Sequence, residues 1–175
     1  MSLTMTQASI PVFNQILQGM SGWLDKAEAF CAAKKVDGAV LVNTRLAPDM
    51  LALARQVQIA CDFAKNTAAR LSGVEPPKFE DNEKTLPELK ARIAKALTYV
   101  NSVAARDIDA GATREVTFPV GPEMKVTMKG EEYLMHFAMP NFFFHATTTY
   151  SILRHCGVEL GKRDFMGAIP GFRPK

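Results

Sequence analysis

The chain has 175 residues, of which 47% are hydrophobic and 22% are charged, and its formal net charge is +3. This length and balance predict one globular domain, residues 1–175, with a sizeable core. Lys and Arg form no basic stripe and no apolar run approaches the ~20 residues of a membrane span, so we expect neither specific nucleic-acid binding nor membrane insertion.

Two long helices are predicted in the first half of the chain. From Met5 to Lys35, apolar residues recur at three- and four-residue steps, as on the buried face of a helix, and Pro11 either opens or kinks it. The stretch "AVLVNTRLA" is predicted to be a connector. Pro48 suits the first turn of a second helix, and Gly73 suits its C-terminal cap.

A third helix and a hairpin are predicted next. Thr85 and Glu88 form a capping-box pattern, and the helix that follows is expected to end near Arg106. In "REVTFPVGPEMKVTMKG", apolar and polar residues alternate on both sides of "PVGPE". That pattern predicts two short strands joined by a turn.

The fourth long helix is predicted from about Glu131 to His155. Inside it, Pro140 removes one backbone donor and clashes with the preceding turn, so we expect a kink at Met139 to Asn141. The tail after Gly157 is predicted to be extended and to lie over the helices.

Four long helices bury their apolar stripes most simply as a bundle. The predicted fold class is therefore all-α, a four-helix bundle with a short β-hairpin between the third and fourth helices.

Three polar residues are candidates for a site in the bundle core. Asn141 and His145 lie one helical turn apart behind three phenylalanines, and Gln56 interrupts an apolar face of the second helix. A buried polar group needs a partner, so we expect Gln56, Asn141 and His145 to converge, with a neutral imidazole. They either form a ligand pocket or only bond each other and water. Asp62 and Lys65 are assigned to a solvated face.

The cysteines give no indication of a metal or redox motif. Cys31, Cys61 and Cys156 are odd in number and contain no CxxC pair. Each is expected to pack as a small apolar residue in a reducing compartment. The N-terminus also lacks the pattern of a secretory signal, so a cytoplasmic location is predicted.

Three stretches carry a resemblance to a known family. They are "RLAPDMLALARQVQIACDFAKNTAARLSG", "FEDNEKTLPELKARI" and "PNFFFHATTTYSILRHCGVELGKRDFMG". The sequence resembles an uncharacterised branch, a domain of unknown function, of the DinB-like (YfiT-like) superfamily of bacterial four-helix bundles. The resemblance covers nearly the whole chain and implies the bundle fold.

The resemblance also implies a degenerate metal site. Metal-binding members of the superfamily carry one histidine on the second helix and a His-x-x-x-His motif on the fourth. Here "NFFFH" takes the place of that motif, so His145 matches its second histidine and Asn141 replaces its first, while Gln56 falls at or near the remaining ligand. An amide oxygen is a weaker ligand for Zn or Ni than imidazole. No metal is expected; if one is retained, His145 binds it.

Three functions are therefore considered. The first is a small-molecule-binding bundle whose core pocket is formed by Gln56, Asn141 and His145. The second is a metal-dependent enzyme of the thiol-transferase type, with a divalent metal such as Zn or Ni. The third is a stress-linked protein that acts through its dimer surface. The chain's 11 Phe and 9 Met favour a homodimer, because a small core hides so many bulky side chains poorly.

Overall fold

The computed structural model describes residues 3–121 and 123–172 of the chain. Within these ranges the structure is an all-α bundle with one two-stranded hairpin, as the sequence predicts. The four long helices are α1 (Met5–Lys34), α3 (Leu53–Ser72), α4 (Leu86–Ser102) and α7 (Met139–His155). The short helices are α2 (Gly38–Asn43), α5 (Ala105–Asp109), α6 (Gly130–Glu132) and α8 (Lys162–Met166).

The core lies between the apolar faces of the long helices. Helix α3 packs against α7 and α4, and α1 packs against α4 and α7. The largest fully buried side chains are Trp23, Tyr133, Phe13, Phe118 and Phe142. No helix in the described ranges is long and apolar enough to cross a membrane.

The predicted hairpin is formed by β1 (Glu115–Val120) and β2 (Met124–Lys129). The strands are antiparallel, and Glu115 is paired with Lys129. Val116 and Phe118 are buried while the residue between them is exposed, because successive strand side chains point to opposite faces. The hairpin thus adds an apolar face to the bundle.

The second long helix begins later than the sequence predicts. Pro48 does not open it: the preceding segment makes a turn in which Met50 N–H bonds Ala47 O at 3.0 Å, and α3 starts at Leu53. The predicted connector is also partly helical. Its α2 forms because the Asp37 side chain caps the first turn, accepting from Ala39 N–H at 2.9 Å.

The third helix has the predicted capping box, in which Thr85 and Glu88 each accept from the other's backbone. It ends at Ser102 rather than near Arg106, and α5 follows after a short break.

The tail is not simply extended. It forms α8, which lies against α1 through Trp23. The indole N–H donates to Asp164 O at 2.8 Å, and the Phe165 ring stacks on the indole at 5.3 Å. These contacts give the short helix the partner it needs, since an isolated helix of this length is not stable in water.

The fourth long helix is irregular before Pro140. Between α6 and α7 it forms a π-helical segment, Tyr133–Ala138, closed by a bond from Met139 N–H to Leu134 O. The irregularity therefore lies a turn earlier than the predicted kink, and Met139 to Asn141 are α-helical. A π-turn widens the backbone where a regular turn would press the proline ring against a carbonyl. The size of any bend stays a prediction.

Candidate functional site

Gln56 and His145 form a hydrogen-bonded pair between α3 and α7. Gln56 is 1% exposed, and its Oε1 lies 2.7 Å from His145 Nδ1. The pair forms because these two helices pack along each other and place both side chains at the same level. The structure therefore brings together two of the three predicted site residues.

The pair fixes the tautomer of His145. The Gln56 Nε2 group donates to Leu51 O at 3.1 Å, which turns its Oε1 toward the imidazole. An amide oxygen can only accept, so Nδ1 carries the proton and Nε2 keeps a free lone pair. In this state His145 presents a hydrogen-bond acceptor at Nε2.

The imidazole is neutral at physiological pH, as the sequence predicts. Burial is the main cause that lowers the pKa of His145 from 6.5 to about 4, and the positive charge of Arg55 lowers it further. A general base works best when its pKa lies near the operating pH. This histidine is therefore better suited to accepting a hydrogen bond than to removing a proton.

Asn141 uses its amide within its own helix. Its Nδ2 donates to Phe137 O at 2.7 Å, and its side chain is half-buried. That bond adds a side-chain donor to a carbonyl of the π-helical segment before Pro140. The participation of Asn141 in a ligand pocket stays a prediction.

The residues at this position do not fit a metal ion. Within the described ranges, no group of three or more His, Cys, Asp or Glu side chains is arranged to hold a metal ion. His145 contributes one imidazole, whose neighbours are the amide of Gln56 and the aromatic rings of Phe63 and Phe144. An imidazole with one neutral amide is a poor ligand set for Zn or Ni.

A groove of about 550 Å³ lies beside the pair. Helix α3 supplies one side with Arg55, Ile59, Asp62, Phe63, Asn66 and Arg70, and the hairpin and the π-segment supply Pro119, Gly121 and Phe137. The ring centroids of Phe63 and Phe137 are 5.9 Å apart, and we call these two residues the aromatic wall. The His145 ring stacks on the Phe63 ring with their centroids 6.0 Å apart, so the Gln56–His145 pair lies behind the wall.

A network of charges around the buried Arg92 side chain lies next to the groove. Arg92, whose side chain is 1% exposed, forms ion pairs with Asp62 at 3.0 Å, Asp81 at 2.9 Å and Glu83 at 3.1 Å. Lys65 is 4% exposed and bonds Asp62 and a loop carbonyl. The assignment of Lys65 to a solvated face is therefore wrong, because the loop between α3 and α4 folds over it, whereas 28% of the Asp62 side chain remains exposed.

The groove residues were missed although the sequence contains a pattern for them. Arg55, Asp62, Asn66 and Arg70 recur at seven-, four- and four-residue steps and so share one stripe of α3. A polar stripe normally indicates a solvated face. The covering hairpin and loop, which turn that stripe into a groove, are not local to the pattern.

Cys61 offers no nucleophile for a thiol-dependent reaction. It is fully buried, and burial raises the pKa of its thiol to about 12. Cys31, Cys61 and Cys156 are all free.

Comparisons with known proteins agree with the fold. The profile of a family described as "Domain of unknown function (DUF1993)" matches residues 5–166. The crystal structure of a DinB family member protein from Shewanella denitrificans is similar, with 46% sequence identity and a TM-score of 0.86 over 95% of this chain and 94% of that one. No functionally curated protein matches. The homodimer and the cytoplasmic location stay predictions.

Proposed function

Since the chain belongs to the DUF1993 family of DinB-like proteins, we propose that it is a small-molecule-binding helical bundle whose site is the groove beside the Gln56–His145 pair. One observation carries the proposal. Asn66 lines the groove, and its Oδ1 atom has almost no accessible surface and no hydrogen-bond partner among the described residues. Buried polar atoms are normally paired, so rotation of the Asn66 side chain into the groove would let a donor on a bound molecule complete this one.

The groove has the composition of a small-molecule site. Its lining combines the aromatic wall and Ile59 with a few polar groups, and its volume lies within the range of about 300–1,000 Å³ common for such sites. Apolar walls supply contact area, and the polar groups fix orientation.

In this proposal the three predicted site residues act behind the wall. His145 supports one face of Phe63 and is itself held by Gln56. Asn141 holds the backbone of Phe137 through its carbonyl. Together they position both rings, so their replacement would weaken binding through the shape of the groove.

The experiment is a search for what the protein retains on purification. Native mass spectrometry of the full chain is followed by denaturation and identification of released small molecules. Wild type is compared with Ile59→Trp, which fills the groove, and with Ala91→Trp, which adds the same side chain at an exposed site of α4. We expect a molecule bound to wild type and Ala91→Trp but lost from Ile59→Trp.

Equal retention by both tryptophan variants would contradict the proposed site, provided that circular dichroism shows both folded. The metal-dependent enzyme is tested in the same preparations. Near-stoichiometric Zn, Ni or Fe that disappears in His145→Ala would contradict a non-metal site. The donor set around His145 argues against that result.

A further inference from the structure

We infer that the groove selects carboxylic acids, with Arg70 as the anchor for the carboxylate and Asn66 as the acceptor for a second group on the same molecule. The inferred ligand class is a small, largely apolar acid that also carries a hydroxyl or N–H donor. This inference rests on the proposed function and specifies its ligand.

Arg70 is the groove cation whose charge is left unmatched. Arg55 is paired with Asp81 at 2.5 Å, and the carboxylate of Asp62 is shared by Lys65 at 3.1 Å and Arg92 at 3.0 Å. The salt bridges among the described residues include none with Arg70. A ligand carboxylate would therefore meet an available positive charge only at that end of the groove.

The Arg70 guanidinium is held in place by neutral groups. Its Nη1 donates to the Tyr133 hydroxyl at 3.0 Å, and its Cζ lies 5.2 Å from the centroid of the Phe118 ring and 5.7 Å from that of the Tyr133 ring. These contacts orient the planar group while leaving further N–H donors for an anion. A guanidinium so placed matches the two oxygens of a carboxylate, which a lysine would not.

The glutamates near Arg70 do not neutralise its positive charge. Glu75 and Glu115 border a separate recess on the other side of Arg70, together with Arg114. Neither glutamate forms a salt bridge with Arg70 in the described part of the chain, and the Arg114 guanidinium donates to Leu71 O. The groove side of Arg70 thus remains the place for an external anion.

Asn66 fixes where the second polar group of the ligand must lie. It precedes Arg70 by one turn of α3, which is about 5.4 Å along the helix. Its buried Oδ1 accepts from no described residue, and rotation of the side chain into the groove would let it accept from a hydroxyl or N–H. Between and beside these groups the aromatic wall and Ile59 contact the apolar body of the molecule.

The test uses two probes that differ only in charge, 4-hydroxyphenylacetate and its neutral amide, 4-hydroxyphenylacetamide. Each is titrated to about 10 mM, a range suited to the millimolar affinity of a small fragment, into the ¹⁵N-labelled full chain. Chemical-shift changes at the groove residues report binding. Wild type is compared with Arg70→Gln and with the control Arg106→Gln, which removes an exposed arginine on α5.

We expect the acid to bind wild type at least about tenfold more tightly than the amide. Arg70→Gln should remove that difference by weakening the acid alone, and Arg106→Gln should preserve it. Equal affinity of acid and amide for wild type, or no effect of Arg70→Gln, would overturn the inference. If Arg70→Gln does not fold, the comparison of the two probes on wild type still tests whether the groove selects acids.

The two proposals fail differently. Tight binding of the amide in the groove would leave small-molecule binding standing and remove the selection for acids. Failure of both probes would overturn the acid inference, while the molecules retained on purification decide the proposed function independently.

Discussion

The carbonyl of Gly111 lies against Gly130 so closely that a Cβ added at Gly130 would be 1.9 Å from the Gly111 oxygen. Gly130 opens α6, and its N–H donates to Arg114 O at 2.8 Å. The contact joins the segment after α5 to the start of the fourth long helix. It therefore sets where the helical run from α6 through the π-helical segment to α7, which carries Phe137 and His145, begins.

Gly130→Ala should strongly destabilise the protein. The new methyl group would meet backbone atoms, which cannot rotate away. We therefore expect the unfolding free energy to fall by more than the about 1–3 kcal/mol that overpacking one site usually costs. Urea denaturation measures it.

Gly22→Ala is the matched control, because a Cβ there meets nothing within 4 Å inside α1. It should stabilise the protein by up to about 1 kcal/mol through helix propensity. Similar effects of the two substitutions would contradict the close contact.

Arg92→Met should cost about 1–3 kcal/mol of unfolding free energy, because it leaves the carboxylates of Asp62, Asp81 and Glu83, which are only partly exposed, without their shared cation. Arg106→Met removes an exposed arginine whose salt bridge in the described part of the chain is to the adjacent Asp107, and should change stability by less than about 1 kcal/mol. The two are compared by urea denaturation at neutral pH. A mild effect of Arg92→Met would mean that the network adds little to the native state.

Phe165→Ala should loosen α8 from the bundle. The Phe165 ring covers the indole of Trp23, the protein's one tryptophan, so its loss should expose the indole and shift fluorescence emission to the red. Met166→Ala on the same helix removes a side chain that is 36% exposed, and should leave the emission unchanged. Identical spectra for all three proteins would show that the stack does not hold α8.

The sequence predicts the bundle well because the information for it is local. Each local signal specifies one element: periodic apolar residues specify the helices, the Thr85–Glu88 capping box specifies the start of the third helix, and the alternation around "PVGPE" specifies the hairpin. Errors occur where distant segments decide the structure. Lys65, for example, is buried by a loop that lies later in the chain. The π-segment is a local exception, because it lies only one turn before Pro140.

The candidate site shows the same division. The pairing of Gln56 with His145 is predictable because a polar residue on an apolar face needs a partner. The groove was not found, because its α3 stripe reads as a solvated face until the hairpin and Phe137 are placed over it.

Gln56→Glu should raise the pKa of His145. The substitution keeps the shape of the side chain but places a carboxylate beside Nδ1, and a nearby anion favours the charged imidazole. Titration of the His145 ring by NMR should show the pKa rising from about 4 toward the ordinary 6.5. Gln18→Glu, an exposed change on α1, should not move it. An unchanged pKa in Gln56→Glu would contradict the pairing.

His145 should also make stability depend on pH in a defined window. Its pKa is about 4 in the folded protein and near 6.5 when unfolded, so the unfolded chain takes up a proton first as the pH falls. The contribution to unfolding free energy is therefore complete above about pH 6.5 and declines toward pH 4, where it levels off. The slope is at most about 1.4 kcal/mol per pH unit, and is smaller to the extent that water reaches the half-buried ring.

Urea denaturation of wild type and His145→Gln at several pH values isolates the contribution of His145, because the carboxylates contribute equally to both proteins. The difference should shrink between pH 6.5 and 4, and the exposed His155→Gln should follow wild type. Parallel curves for wild type and His145→Gln would show that the imidazole is not held neutral.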